Sequence, residues 1–179
     1  MTQEALLIVD MSNDFVHDEG GLTAGKAAQE IVPMIVQKAN EFLQAGKVVA
    51  ICMDAHEPND THFELWPKHN VKGTWGQKLY GPLEVWYQEN KEHLNVLYIP
   101  KPEYDAFFET NLHDQLQEKG VARVHVTGVC TDICDFLTVY GAYARGYETV
   151  VYSKGTATFT NQHDLFLKHM EAIFKTKIV

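Results

Sequence analysis

The chain has 179 residues, of which 45% are hydrophobic and 22% charged, a composition that suits a globular protein able to bury a proper core. Its net charge of -9, from 15 Lys and Arg against 24 Asp and Glu, argues against a nucleic-acid partner, since phosphate contacts need clustered cations. Three cysteines, Cys52, Cys130 and Cys134, make an odd set with no disulfide framework, and no apolar run approaches the length of a membrane span. The start, Met1-Thr2-Gln3-Glu4 and a short apolar run, lacks the form of a signal peptide, so a cytoplasmic protein without a membrane partner is expected.

The first apolar run, Ala5 to Val9, is short and continuous, as a strand buried on both faces should be, and it ends at Asp10. A loop from Ser12 to Gly25 follows. Apolar residues at helical spacing (Ile31, Ile35, Ala39, Phe42, Leu43) predict a helix over 26–45, stopped by Gly46. Lys47 to Met53 predicts a second strand, ended by Asp54. Residues 55 to about 95 read as irregular and hold all three tryptophans and four histidines; a long loop inside a compact domain is usually functional. Val96 to Ile99 predicts a third strand before Pro100-Lys101-Pro102, then a helix over 106–119, a fourth strand over 121–127 and a helix over 132–145. A fifth strand over 148–152, a last helix over 162–174 and a short strand at 177–179 complete the pattern.

Strand and helix alternate throughout, with no repeat and no linker. This predicts one α/β domain over 1–179, a mostly parallel sheet between two layers of helices. In such sheets ligands bind beyond the carboxyl ends of the strands. Asp10, Asp54, Lys101 and the segment Gly128 to Cys134 all fall at those ends. Any one polar strand end is most simply a residue meeting water. Two carboxylates, an ammonium and a thiol on one edge are better read as a site. Cys134, near a helix start and beside cations, is expected to have a lowered pKa. Asp54-Ala55-His56, followed by His62, Glu64 and His69, offers the oxygen and imidazole donors that suit zinc, iron or manganese. Cys52 reads as core. Cys130 and Cys134 are neither a C-x-x-C redox pair nor a convincing metal pair, and no G-x-G-x-x-G follows the first strand.

These segments resemble the isochorismatase-like cysteine hydrolases. The resemblance is carried by LLIVDMSNDF (6–15), DAHEPND (54–60), WPKHNVKGTWG (66–76), Pro100-Lys101 and TGVCTDICDF (127–136), and it spans the chain from the first strand to the last helix. The D-x-H and W-P-x-H-N segments resemble the nicotinamidase branch. The resemblance implies a three-layer α/β/α fold with a six-stranded sheet. It implies Cys134 as nucleophile, Asp10 as general base, Lys101 as the cation holding both, and the N–H groups of Cys130 and Cys134 as an oxyanion hole after a cis Val129–Cys130 peptide. It further implies a divalent metal, zinc first, on Asp54, His56 and His69, with Glu64 preferred over His62 as fourth ligand. Phe15, Trp66 and Tyr104 match positions that sandwich the ring of nicotinamide, although plain packing would explain each one singly. A homo-oligomer is implied as well. Asp135 departs from the pattern, since an apolar residue such as Val is common after the nucleophile. The alternative within the family is an amidohydrolase for a carbamoyl or ureido substrate. A non-catalytic module on this fold fits poorly with an intact Asp10, Lys101 and Cys134.

Overall fold

The computed structural model describes residues 3–179; Met1 and Thr2, on which part of the signal-peptide expectation rests, lie outside them. Six parallel strands form one sheet in the order β3-β2-β1-β4-β5-β6: β1 (Gln3–Val9), β2 (Val48–Asp54), β3 (Val96–Lys101), β4 (Val121–Val129), β5 (Glu148–Ala157) and β6 (Lys177–Ile178). Side chains alternate across each strand, so the sheet feeds two cores. Leu6 and Ile8 of β1 face one way and pack with α2 (Gly25–Gln44) and α3 (Pro82–Asn90) through Ile31, Ile35, Leu83 and Trp86. Ala5, Leu7 and Val9 face the other way, onto α4 (Leu112–Glu118), α5 (Cys134–Ala144) and α6 (His163–Phe174). The predicted three-layer α/β/α arrangement is the observed one. Among the described residues, no helix is long and apolar enough to cross a membrane.

Four departures bear on the site. The segment read as irregular contains α3, which opens with Pro82 at its first position, where the missing N–H costs nothing. A second short helix, α1 (Asn13–Val16), is capped by the Ser12 side chain, which accepts from the Phe15 amide. Strand β3 runs through Pro100 to Lys101, pairing Asp54 with Lys101. A proline is tolerated there because β3 is an edge strand. Strand β5 reaches Ala157, five residues past its predicted end, after a register shift opposite Val126–Gly128.

The strand order reverses between β1 and β4, and a crevice opens beyond the carboxyl ends at such a point. Gly128, paired with Val9 there, has φ +125, and a Cβ on it would lie 2.0 Å from the Val9 carbonyl oxygen. Only glycine lets β4 come this close to β1 just before the turn that carries Cys130 and Cys134.

Candidate active site

Lys101 is the largest side chain that the fold buries completely. Its Nζ lies 2.7 Å from Asp10 Oδ2, bonds Asp54 Oδ1, and donates to the Glu103 carbonyl at 3.1 Å. A cation is stable in a core only when so compensated. Asp10 itself sits at φ +54, an uncommon conformation that aspartate tolerates. It turns the carboxylate off the end of β1, where Oδ1 accepts the Asp54 amide at 2.8 Å. Burial and the neighbouring Asp54 charge raise the Asp10 pKa, against the pull of Lys101. Burial acts on Asp54 too, but Lys101 and His56 outweigh it and hold that carboxyl below its ordinary range.

Cys134 opens α5, where the first amides of a helix have no partner within it. Its sulfur lies with carboxylate oxygens of Asp10 and Asp54 in a group whose atoms are all within 4.8 Å of one another. The expected lowering of its pKa is not met. Burial, aided by the two carboxylates, pushes the thiol well above its ordinary range, and Lys101 offsets this only in part. Cys134 at rest is therefore a neutral thiol beside a carboxylate of raised basicity. The Val129–Cys130 peptide is cis, and the Cys130 carbonyl accepts from the Ile133 and Asp135 amides, closing the turn.

A second group faces the first across Asp54. One nitrogen from each of His56, His62 and His69 falls within 4.8 Å of the other two. His56 Nε2 and His69 Nε2 lie 3.7 and 3.8 Å from Asp54 Oδ2, the oxygen turned away from the bond with Lys101. The opposite nitrogens are engaged: His56 Nδ1 with Asp60 at 2.9 Å, and His69 Nδ1 with the Pro67 carbonyl at 2.6 Å. Burial lowers the pKa of His62 and of His69, which favours the neutral, ligating form. His56 Nε2 is buried and has no hydrogen-bond partner. Three imidazoles within reach of one another, two of them facing one carboxylate oxygen and one with an orphaned nitrogen, form a donor set that fits a divalent cation.

Glu64, preferred from the sequence as the fourth donor, is exposed and stands outside this group, whereas His62 belongs to it. The reason is local. Both residues ride on one 3-10 turn, Thr61–Glu64, in which side chains two apart point roughly 240° from each other. Only one of them can face the cluster.

Phe15, Trp66 and Tyr104 do converge, lining one small cavity with Cys134, His62 and His69. Trp66 Nε1 donates to the Tyr104 hydroxyl at 2.9 Å, joining two loops into a roof. The cavity beneath it is small, about 20 Å³. Leu22, Ile133 and Phe159 also line it and were not singled out from the sequence. Phe159 lies just beyond β5, which runs five residues past the end that its apolar pattern predicts, so no predicted strand end points to it. A larger open groove of about 740 Å³ lies by the amino ends of β4 and β5, but it gathers no cysteine.

The family model for the isochorismatase domain matches residues 4–178. The chain belongs to the isochorismatase family. It is 38% identical over 171 residues to the Bacillus subtilis isochorismatase family protein PncA, covering 93% of each chain. Its fold superposes on the pyrazinamidase/nicotinamidase of Streptococcus mutans with a TM-score of 0.95 at 36% identity, over 99% of this chain and 100% of that one. It superposes on the pyrazinamidase of Pyrococcus horikoshii, solved in complex with zinc, with a TM-score of 0.85 at 26% identity, over 99% and 98%.

Proposed function

We propose that this chain is a nicotinamidase, an amidohydrolase that converts nicotinamide to nicotinate and ammonia through a cysteine thioester. The observation that carries the reading is the meeting of two groups across Asp54: a thiol with Asp10 and Lys101 on one side, three histidines on the other, with aromatic rings over both. The names of the relatives in Streptococcus mutans and Pyrococcus horikoshii support the substrate class.

In this reading Asp10 takes the proton of the Cys134 thiol as sulfur attacks the carboxamide carbon. The amides of Cys130 and Cys134 receive the developing oxyanion. The tetrahedral adduct collapses, its nitrogen leaves with the proton held by Asp10, and a thioester remains. Water gives a proton to Asp10 and attacks the thioester. Carboxylic acid departs, and the sulfur recovers its proton from Asp10. Throughout, Lys101 keeps the carboxylate in line with the sulfur and offsets negative charge. Phe15, Trp66 and Tyr104 hold the ring and keep bulk water away. Asp54, His56, His62 and His69 would hold a divalent cation, zinc first; bound there, it supplies a Lewis-acid point for the pyridine nitrogen.

The deciding measurement is ammonia release from nicotinamide by the metal-loaded protein, with Cys134→Ala beside it. Release that vanishes in the variant, with the fold intact, is the expected result. Turnover retained by Cys134→Ala would remove the covalent mechanism. Turnover of a ureido substrate in place of nicotinamide would move the substrate class.

A further inference from the structure

One carboxylate in the 54–64 segment bonds to two members of the histidine group at once. Asp60 Oδ2 lies 2.9 Å from His56 Nδ1. Asp60 Oδ1 accepts the His62 amide, also at 2.9 Å, and so caps the 3-10 turn that carries His62. A carboxylate against Nδ1 fixes the proton there and leaves the lone pair on Nε2. That Nε2 is the buried, unpartnered nitrogen beside Asp54. The second bond sets the stance of the other ring: His62 stacks on His56 with centroids 4.6 Å apart and planes 19° from parallel.

We propose that Asp60 is the positioning residue of the cation site, orienting His56 by its tautomer and His62 by its turn, so that both present a nitrogen to one point. The inference rests on reading the histidine group as a cation site. A plain turn cap is the competing account, because aspartate is among the favoured caps. Capping engages one oxygen. The other goes to an imidazole that is 1% exposed and whose far nitrogen faces Asp54.

Serine separates the two accounts, since it caps as well as aspartate but is too short to reach His56. The metal-free wild type, Asp60→Ser and Asp60→Ala are each titrated with Co2+, followed by its visible absorption, and with Zn2+ against a competing chelator. Unfolding of the metal-free proteins reports on the turn, and Asp60→Asn, with one acceptor oxygen for two donors, is the fallback should serine disturb it. Both Ser and Ala variants are expected to lose about 10–100-fold in affinity, with an altered Co2+ spectrum in Asp60→Ser and its metal-free unfolding unchanged. Wild-type affinity and spectrum in Asp60→Ser, with only Asp60→Ala weakened, would reduce Asp60 to a cap and overturn the inference alone. A wild type that binds neither ion overturns the cation-site reading and the inference with it, a result visible before any variant is made.

Discussion

The Asp10–Lys101–Cys134 group stands on the ends of strands and the first turn of a helix, whereas His56, His62 and His69 stand on the segment between β2 and α3. The first group is fixed by register: Asp54 pairs with Lys101 across β2 and β3, and Val9, just before Asp10, pairs with Gly128. The second is fixed by side-chain hydrogen bonds, most of them to backbone amides. Asp14 accepts the Asn70 and Gly21 amides at 2.7 and 2.9 Å, Ser12 donates to the Asn70 side chain at 2.7 Å, and Asp60 holds the turn. Asp54 belongs to both, with one oxygen for Lys101 and the other toward the histidines. A sheet edge places groups through the whole fold, so a lesion there costs stability and activity together. A loop places them through a few polar bonds, so a lesion there should be felt first in cation binding.

Removing the strand-end cation tests the first half of that contrast and should have the largest effect. Lys101→Met leaves two carboxylates buried without their counter-ion, a kind of lesion that costs about 3–5 kcal/mol. Amidase turnover should fall by at least ~100-fold, the lower range for a misplaced proton carrier, because Asp10 loses the cation that holds it in line with the sulfur. Thermal unfolding and ammonia release measure the two effects. A variant with normal stability would mean that Asp10 and Asp54 find other partners, and the strand-end group would lose its claim to be part of the core.

Next in size is the loop pair that the 3-10 turn divides. His62→Ala should weaken Zn2+ binding by at least the ~10–100-fold typical of lost partners outside the coordination shell, while the unfolding of the metal-free protein barely moves. Glu64→Gln should leave both unchanged, because Glu64 is exposed. The reverse outcome in a chelator competition would restore Glu64 as the fourth donor.

Asp14→Ala should come third. It removes two hydrogen bonds to a charged acceptor, each worth about 1.5–3 kcal/mol at most, from a half-buried carboxylate. With about 2–4 °C per kcal/mol at this chain length, the unfolding temperature should drop by several degrees. The amide lost is that of Asn70, next to His69, so cation affinity should fall with it. Loss of stability with unchanged affinity would show that His69 is held by Phe15 and the Pro67 carbonyl instead.

What could be read from the sequence follows the same division. Asp10, Asp54 and Lys101 are legible because short apolar runs end abruptly in charge, and parallel strands bring all such ends to one edge. Cys134 is legible from the same edge, although its protonation is not, because burial overrides the helix terminus and no periodicity reports burial that deep. The choice between His62 and Glu64 is hidden, since it turns on the phase of a single 3-10 turn set by Asp60. Helix α3 is hidden because only Leu83 and Trp86 of its nine residues are buried, too sparse a stripe to stand out. Phe159 is hidden because the register shift that lengthens β5 leaves no mark in the apolar pattern.

Asp135 gives the smallest effect and the finest test, since it stands one residue from the nucleophile yet takes no part in the proposed chemistry. It is fully buried, and neither carboxylate oxygen has a partner. Burial, with the Asp10 charge beside it, raises its pKa well above the ordinary carboxyl range, so the folded protein holds a proton there that the unfolded chain releases. The sign follows from linkage. Above the unfolded value of about 3.9 the folded state binds more protons than the unfolded one, so Asp135 makes stability fall as pH rises toward its folded pKa. Asp135→Val removes that slope together with two orphaned oxygens, whose burial costs about 1–3 kcal/mol. The variant should therefore melt several degrees higher than wild type at pH 7, and the gain should shrink as the pH approaches 4. Ammonia release should be little changed, because Lys101 and the Asp54 amide, not Asp135, hold Asp10 in place. A valine variant that melts lower at every pH would show that the carboxyl is satisfied in solution, and the rigidity credited to the strand-end half of the site would then owe part of its strength to a polar contact beneath Cys134.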